Sequence, residues 1–224
     1  QEFHCSFPFY GLYAPATPSW PMVADQDTVD LETWESGEVA GIETNSYAKM
    51  HRVMAWWRKY GVQTYLYLQS FEAWYQYAHR YFPDDIAVDE DGVPLVGWRY
   101  CRILNPDPDS AWGAHILAQL DKLLTEFPEI DGIFYDVDGY CHCDYAHDDG
   151  LSMQGRRPYS MLAFSLEKMN REITKRVHQH GKGLWTNFPT SVEVTRGMDG
   201  IMAEANRPVA QILQYLGPVR PMIC

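Results

Sequence analysis

From about residue 62 onward the chain switches back and forth between two hydrophobic periods, and that alternation limits it to a few architectures. Val62 to Gln69 sets Val, Thr, Leu and Leu against Gln, Tyr, Tyr and Gln, the period-two pattern of a strand. Trp112, Ile116, Leu117, Leu120, Leu123, Leu124 and Phe127 then fall at helical spacing. Ile130 to Val137 reads as a strand, and a helix starting near Pro158 runs through Met161, Leu162, Leu166, Met169, Ile173 and Val177 to Gly181. Residues 183–188 and 200–205 are further strands, 208–216 a short helix, and 219–224 the start of another strand. Strands alternating with helices predict a parallel sheet.

Upstream the pattern is looser. Phe9 to Ala14 is a short strand, residues 16–42 a long loop, and Thr44 or Asn45 caps a helix through Tyr47, Met50, Val53, Met54 and Trp57 to Gly61. Residues 71–82 read as helix and 84–97 as loop or hairpin turned at Asp91-Gly92. Residues 98–104 read as a strand, before a helix capped by Asp109. No Gly-x-Gly-x-x-Gly follows the first strand, which weighs against a doubly wound dinucleotide-binding sheet. The expected fold is α/β, a (β/α)8 TIM-barrel-like single domain over residues 1–224. Such barrels need about 250 residues, so one incomplete at its C-terminal end is expected. The opening at Gln1, without a leader, fits a removed signal or a fragment.

Composition narrows function. Eighteen Lys and Arg against 30 Asp and Glu give a net charge of −12, which excludes a basic phosphate-binding surface and makes nucleic acid a poor partner. No apolar run is long enough to span a membrane. Eight Trp and 15 Tyr in an acidic chain is a composition common among carbohydrate-handling proteins. The five cysteines, Cys5, Cys101, Cys141, Cys143 and Cys224, make no disulfide framework.

Two segments echo one another. Ile130-Asp131-Gly132-Ile133-Phe134-Tyr135-Asp136 and Met198-Asp199-Gly200-Ile201-Met202-Ala203-Glu204 each run apolar, Asp, Gly, Ile, two residues, carboxylate. Asp-Gly marks entry into a strand, so the final carboxylate lands at the carboxyl end, where barrel enzymes build their sites. Counted as strands four and six, they send Asp136 and Glu204 into one shared layer. A carboxylate pair suits glycoside hydrolysis, one member attacking or activating water and the other protonating the leaving oxygen. Burial of Glu204 among Met202, Ala203 and Ala205 would raise its pKa toward an acid's role. Asp138 shares the face of Asp136 and competes for the role of working residue, and Glu193 is the runner-up acid/base.

Phe134-Tyr135-Asp136-Val137-Asp138-Gly139-Tyr140 resembles the strand-four motif of retaining α-glycoside hydrolases of the α-galactosidase clan, endo-α-N-acetylgalactosaminidases included. Asp136-Val137-Asp138-Gly139-Tyr140 also resembles a motif of endo-α-1,4-polygalactosaminidase-like barrels. The resemblance implies a retaining glycosidase with Asp136 as nucleophile and Glu204 as acid/base. It implies an oligosaccharide or polysaccharide substrate, and that substrate class an extracytoplasmic setting.

Candidate substrate-binding residues lie at the expected strand ends: Tyr67, Asn105, Asp138, Tyr140, His142, Trp185, Asn187 and Arg207. Trp185 offers a ring face and Asn187 an amide to sugar hydroxyls. No cofactor is implied. Two other readings stay open. The barrel binds carbohydrate without turning it over, or a metal-dependent hydrolase is built on Cys141, His142, Cys143, Asp144, His147 and Asp148. The Cys-x-Cys spacing there chelates poorly, and no metal is the expectation.

Overall fold

A computed structural model describes residues 3–6, 47–97, 101–136, 142–187, 196–202 and 222–223. The expected strand at Phe9 to Ala14, the loop at 16–42 and the helix at 208–216 lie outside them.

Among the described residues six strands form one parallel sheet: β1 (Phe3–Ser6), β2 (Gln63–Leu68), β5 (Gly132–Asp136), β9 (Gly183–Asn187), β10 (Gly200–Met202) and β11 (Met222–Ile223). Their order in the sheet is their order in the chain, and each described neighbour pair is parallel. A doubly wound sheet reverses order at a switch point. This one does not, so the chain winds in one sense, each strand laid beside its predecessor. Three helices accompany it: α1 (Tyr47–Lys59), α3 (Ala111–Glu126) and α4 (Leu162–Gln179). Gly61 and Gly181 follow α1 and α4 at φ +70° and +67°, the left-handed conformation that ends a helix.

The register sorts side chains into two faces. Leu66, Leu68, Ile133, Tyr135, Leu184, Thr186 and Ile201 form one and are buried throughout. Tyr135 there bonds Ser70 Oγ, and the Ser70 carbonyl accepts from Trp112 Nε1 of α3 at 2.6 Å. The other face carries, from the strand starts upward, Tyr65 with Gly132 and Gly183, then Tyr67, Phe134, Trp185 and Gly200, then Asp136, Asn187 and Met202.

The sequence echo has a structural origin at its front half. Asp131 N donates to Thr64 O at 2.8 Å, and Asp131 Oδ2 accepts from Thr64 N at 2.7 Å. Asp199 N donates to Leu184 O at 2.7 Å, and Asp199 Oδ2 accepts from Leu184 N at 2.8 Å. Each Asp therefore clamps both backbone groups of one residue on the preceding strand. The Gly that follows yields to an aromatic ring. A Cβ on Gly132 would stand 2.3 Å from Tyr65 Cε1, and one on Gly200 2.4 Å from Trp185 Cε2.

Among the described residues two excursions leave the carboxyl ends of the strands. The first, after β2, holds β3 (Glu72–Trp74), α2 (Tyr75–Tyr81), a 3-10 turn (Pro83–Asp85) and β4 (Cys101–Ile103). β4 pairs antiparallel with β3, so the expected strand at 98–104 is not a member of the parallel sheet. Asp136 accordingly lies on the third strand of the described sheet, not the fourth, and β10 is the fifth; the two remain two strands apart. The expected helix over 71–82 begins only at Tyr75, because Glu72–Trp74 finds β4 as a partner. The second excursion, after β5, holds β6 (Cys143–Asp144), β7 (Ser152–Gln154) and β8 (Arg157–Met161) in a small antiparallel sheet. Pro158 therefore belongs to β8, and α4 starts at Leu162. The cap of α3 is Ser110, whose hydroxyl accepts from Gly113 N at 2.9 Å, one residue beyond the expected Asp109. The Asp91-Gly92 turn is present, with Asp89 Oδ1 accepting from Asp91 N and Val93 N.

Candidate active site

Three adjacent parallel strands end in polar side chains that meet. Asp136, the last residue of β5, is half-buried. Its Oδ2 accepts from the Tyr67 hydroxyl of β2 at 2.7 Å, and its Oδ1 accepts from Asn187 Nδ2 of β9 at 3.1 Å. The register makes this possible: Tyr67 pairs with Phe134, two residues below Asp136 on the same face, and Asn187 pairs with Asp136 itself. A phenol is long enough to rise across that two-residue step; the shorter Asn amide reaches only sideways. Tyr67 and Asn187 are each 4% exposed. Two donors aimed at one carboxylate favour its ionised form. The group is thus suited to act as an anion at the carboxyl end of the sheet.

The other expected residues are placed as follows. Trp185 sits two residues below Asn187, edge-on to Tyr65 at 6.2 Å between ring centroids, and is half-buried. Its position below the carboxylate makes it part of the floor. Asn105 is buried, and its Oδ1 accepts from Asp107 N at 3.1 Å while its carbonyl accepts from the Ser110 hydroxyl at 2.9 Å. It builds the entry to α3, and no described contact brings it to Asp136. His142 is exposed, its carbonyl accepting from Leu162 N at 3.1 Å. Asp138, Tyr140, Glu193, Glu204, Arg207 and Cys141 lie outside the described residues. Gln69 and Glu72, just past the end of β2, are both buried, with Gln69 Nε2 donating to Glu72 Oε2 at 3.5 Å.

Asp144 and His147 of the Cys-His loop are committed to structure. Asp144, fully buried, accepts from Val88 N and Ala146 N at 3.0 Å each and bonds His147 Nδ1. His147 Nε2 donates to the Asp84 carbonyl at 2.8 Å. Among the described residues no three His, Cys, Asp or Glu side chains converge as a metal would require. This latch joins the two excursions. Nothing in the sequence announced it, because its halves are some 60 residues apart, as His147 and Asp84 show.

No protein-family model matches the sequence, and neither does any curated protein. Solved structures do resemble it. Ega3 of Aspergillus fumigatus, in complex with galactosamine, is 16% identical with a TM-score of 0.51, covering 77% of this chain and 63% of that one. A cycloisomaltooligosaccharide glucanotransferase of Paenibacillus sp., complexed with cycloisomaltoheptaose, is 15% identical with a TM-score of 0.56, covering 79% of this chain and 27% of that one. The α-N-acetylgalactosaminidase NagBb of Bifidobacterium bifidum, in its Gal-NHAc-DNJ complex, is 12% identical with a TM-score of 0.51, covering 89% of this chain and 29% of that one. The chain shares their fold. It spans less than two thirds of the length of each. NagBb is the kind of protein that the β5 motif resembles at the level of sequence.

Proposed function

We propose that this chain is the catalytic (β/α) barrel, or most of it, of a retaining glycoside hydrolase. The observation that carries the proposal is the Asp136 carboxylate, held by donors from both flanking strands at the carboxyl end of a sequentially ordered parallel sheet. Carboxyl ends of strands are where barrel enzymes place their chemistry. The shared fold with sugar-bound and sugar-cleaving proteins supports the reading.

Asp136 attacks the anomeric carbon as the bond to the leaving oxygen breaks, and Glu204 protonates that oxygen. Water, deprotonated by Glu204, then releases the sugar from Asp136. The second half of the echo supports Glu204. Asp131 and Asp199 make identical clamps, and Asp136 and Glu204 each stand five residues beyond one of them. Met202 is level with Asn187, hence with Asp136, and Glu204 stands two residues later in the sequence. Asp138, Tyr140, His142 and Arg207 are assigned to substrate, with Trp185 beneath. The net charge of −12 suits a cationic substrate, and galactosamine bound to Ega3 is an amino sugar. α-Linked galactosamine or N-acetylgalactosamine oligosaccharides are therefore the substrates to try first.

The test is turnover of aryl α-glycosides and oligosaccharides of these sugars, with the product anomer followed by NMR. Asp136→Asn lowers kcat by on the order of 10³-fold or more, and the first-formed product keeps the substrate's configuration. Wild-type rates in Asp136→Asn overturn the reading. Binding without turnover in the wild type points to a glycan-binding barrel instead.

A further inference from the structure

We infer that Tyr67 and Asn187 are positioning residues for Asp136, and that the Tyr67 hydroxyl sets the acid limit of its activity. The consequence for catalysis rests on the glycosidase reading; the arrangement itself does not. Among the described residues each carboxylate oxygen receives one donor, and the donors come from opposite sides, β2 and β9. A carboxylate held at both oxygens from both sides has little freedom to rotate. Its orientation toward a substrate is therefore set by the sheet register, not by the substrate.

Both donors are neutral, so both bonds are stronger to the anion than to the acid. Removing either favours protonation of Asp136. Tyr67 is the stronger case. Its bond is the shorter, and a phenol is a better donor to an anion than an amide is. Among the described residues the titratable group that meets Asp136 is Tyr67 from β2, while Tyr135, its neighbour on β5, lies on the opposite face and feels only its charge. Burial pushes the Tyr135 phenol well above its ordinary value, with the Asp136 charge adding to that, so Tyr135 stays neutral over the working range. Among the described residues the acid limb therefore follows Asp136.

The role extends through the reaction. When one oxygen of Asp136 bonds to the sugar, the carboxylate's charge is lost and its hydrogen bonds weaken. When the sugar departs, the charge returns and the bonds strengthen again. Tyr67 and Asn187 thus favour the carboxylate as the leaving group of the second step and neither gives nor takes a proton.

The experiment pairs Tyr67→Phe and Asn187→Ala with two readouts. The first is the ¹³C titration of the Asp136 carboxyl, assigned by its loss in Asp136→Asn, which needs no substrate. The second is the pH profile of kcat/KM on an aryl α-N-acetylgalactosaminide. In Tyr67→Phe the carboxyl titration moves up by about one unit, and the acid limb of the profile moves with it. The value of kcat falls about tenfold, with KM changed little. Asn187→Ala shows the same signs with smaller shifts. A folded Tyr67→Phe whose Asp136 titration is unmoved overturns the inference whatever its activity. Should Tyr67→Phe fail to fold, an unmoved titration in Asn187→Ala does so. A shifted titration in a protein that cleaves no glycoside overturns the glycosidase reading and leaves the positioning intact.

Discussion

Asp131 and Asp199 commit their carboxylates to the backbone of the neighbouring strand. Each presents its carboxylate to the N–H of one residue, Thr64 or Leu184, at the start of the neighbouring strand, where a ladder would otherwise leave that donor open. Asp131→Ala or Asp199→Ala leaves a backbone N–H without its acceptor, and each costs about 1–3 kcal/mol in urea unfolding. The Asn variants, which keep an oxygen in place, cost less. The glycines beside them are equally constrained. Gly132→Ala sets a methyl group 2.1 Å from Gly183 O and against the Tyr65 ring, and overpacking of that kind costs about 1–3 kcal/mol. A Gly132→Ala protein as stable as the wild type would refute the packing described. The echo was legible in sequence because both ends of the unit repeat. The chemistry proposed for it concerns only its last residue. That Asp136, Tyr67 and Asn187 all stand at strand ends was legible too, since period two and the strand limits give it. Their mutual hydrogen bonds were not, because these depend on register between strands some 50 to 70 residues apart.

At the scale of elements, the pieces of the parallel sheet and its long helices were readable, and most of the short strands inside the excursions were not. α3, α4, β5 and β9 carry enough turns or alternations to declare themselves. β3, β6 and β7 are two or three residues long, and their identity comes from a partner across the excursion, not from their own pattern; β4 was readable as a strand, but not the antiparallel partner it takes. The same holds for the latch between the excursions. His147 has an acceptor at each ring nitrogen, Asp144 at Nδ1 and the Asp84 carbonyl at Nε2, so only the imidazolium satisfies both. The bond to Asp144 holds its pKa above the ordinary value, against the opposing effect of burial, and the charges of Asp144 and Asp85 add to it. A pKa raised on folding stabilises the protein fully below the unfolded value of about 6.5 and loses that contribution as pH rises through the folded one. His147→Gln removes the titration. The stability gap between wild type and His147→Gln, measured by urea unfolding, is therefore widest near pH 6 and closes on the alkaline side. A gap constant from pH 6 to 9 would mean that the imidazolium contributes nothing. Because Val88 N and Tyr145 N join the same seam, amide exchange at those two positions quickens in His147→Gln at pH 6.

The molecule as a whole combines a sheet wound in one sense with a large excess of negative charge. Strand order follows chain order because every described crossover returns beside its own starting strand, and local alternation alone predicts that. The number of strands is not local: one expected strand went to the β3–β4 pair, and only pairing partners reveal such a departure. The charge is legible without any structure. At −12 the folded chain repels itself, and the repulsion is screened over about 8–10 Å at physiological salt. The same field draws a cationic glycan of the kind proposed toward the site and leaves a neutral one unaffected. Added salt should therefore act in opposite directions on two quantities. Between low salt and about 0.3 M sodium chloride the Tm rises as self-repulsion is screened, while KM for a free-amine oligosaccharide rises and KM for its N-acetylated counterpart stays level. Equal salt dependence of the two KM values would assign the effect to the protein alone and remove charge from the account of substrate choice. A difference confined to the free amine would make the acidic composition part of recognition, since the stability change is common to both substrates and cancels between them.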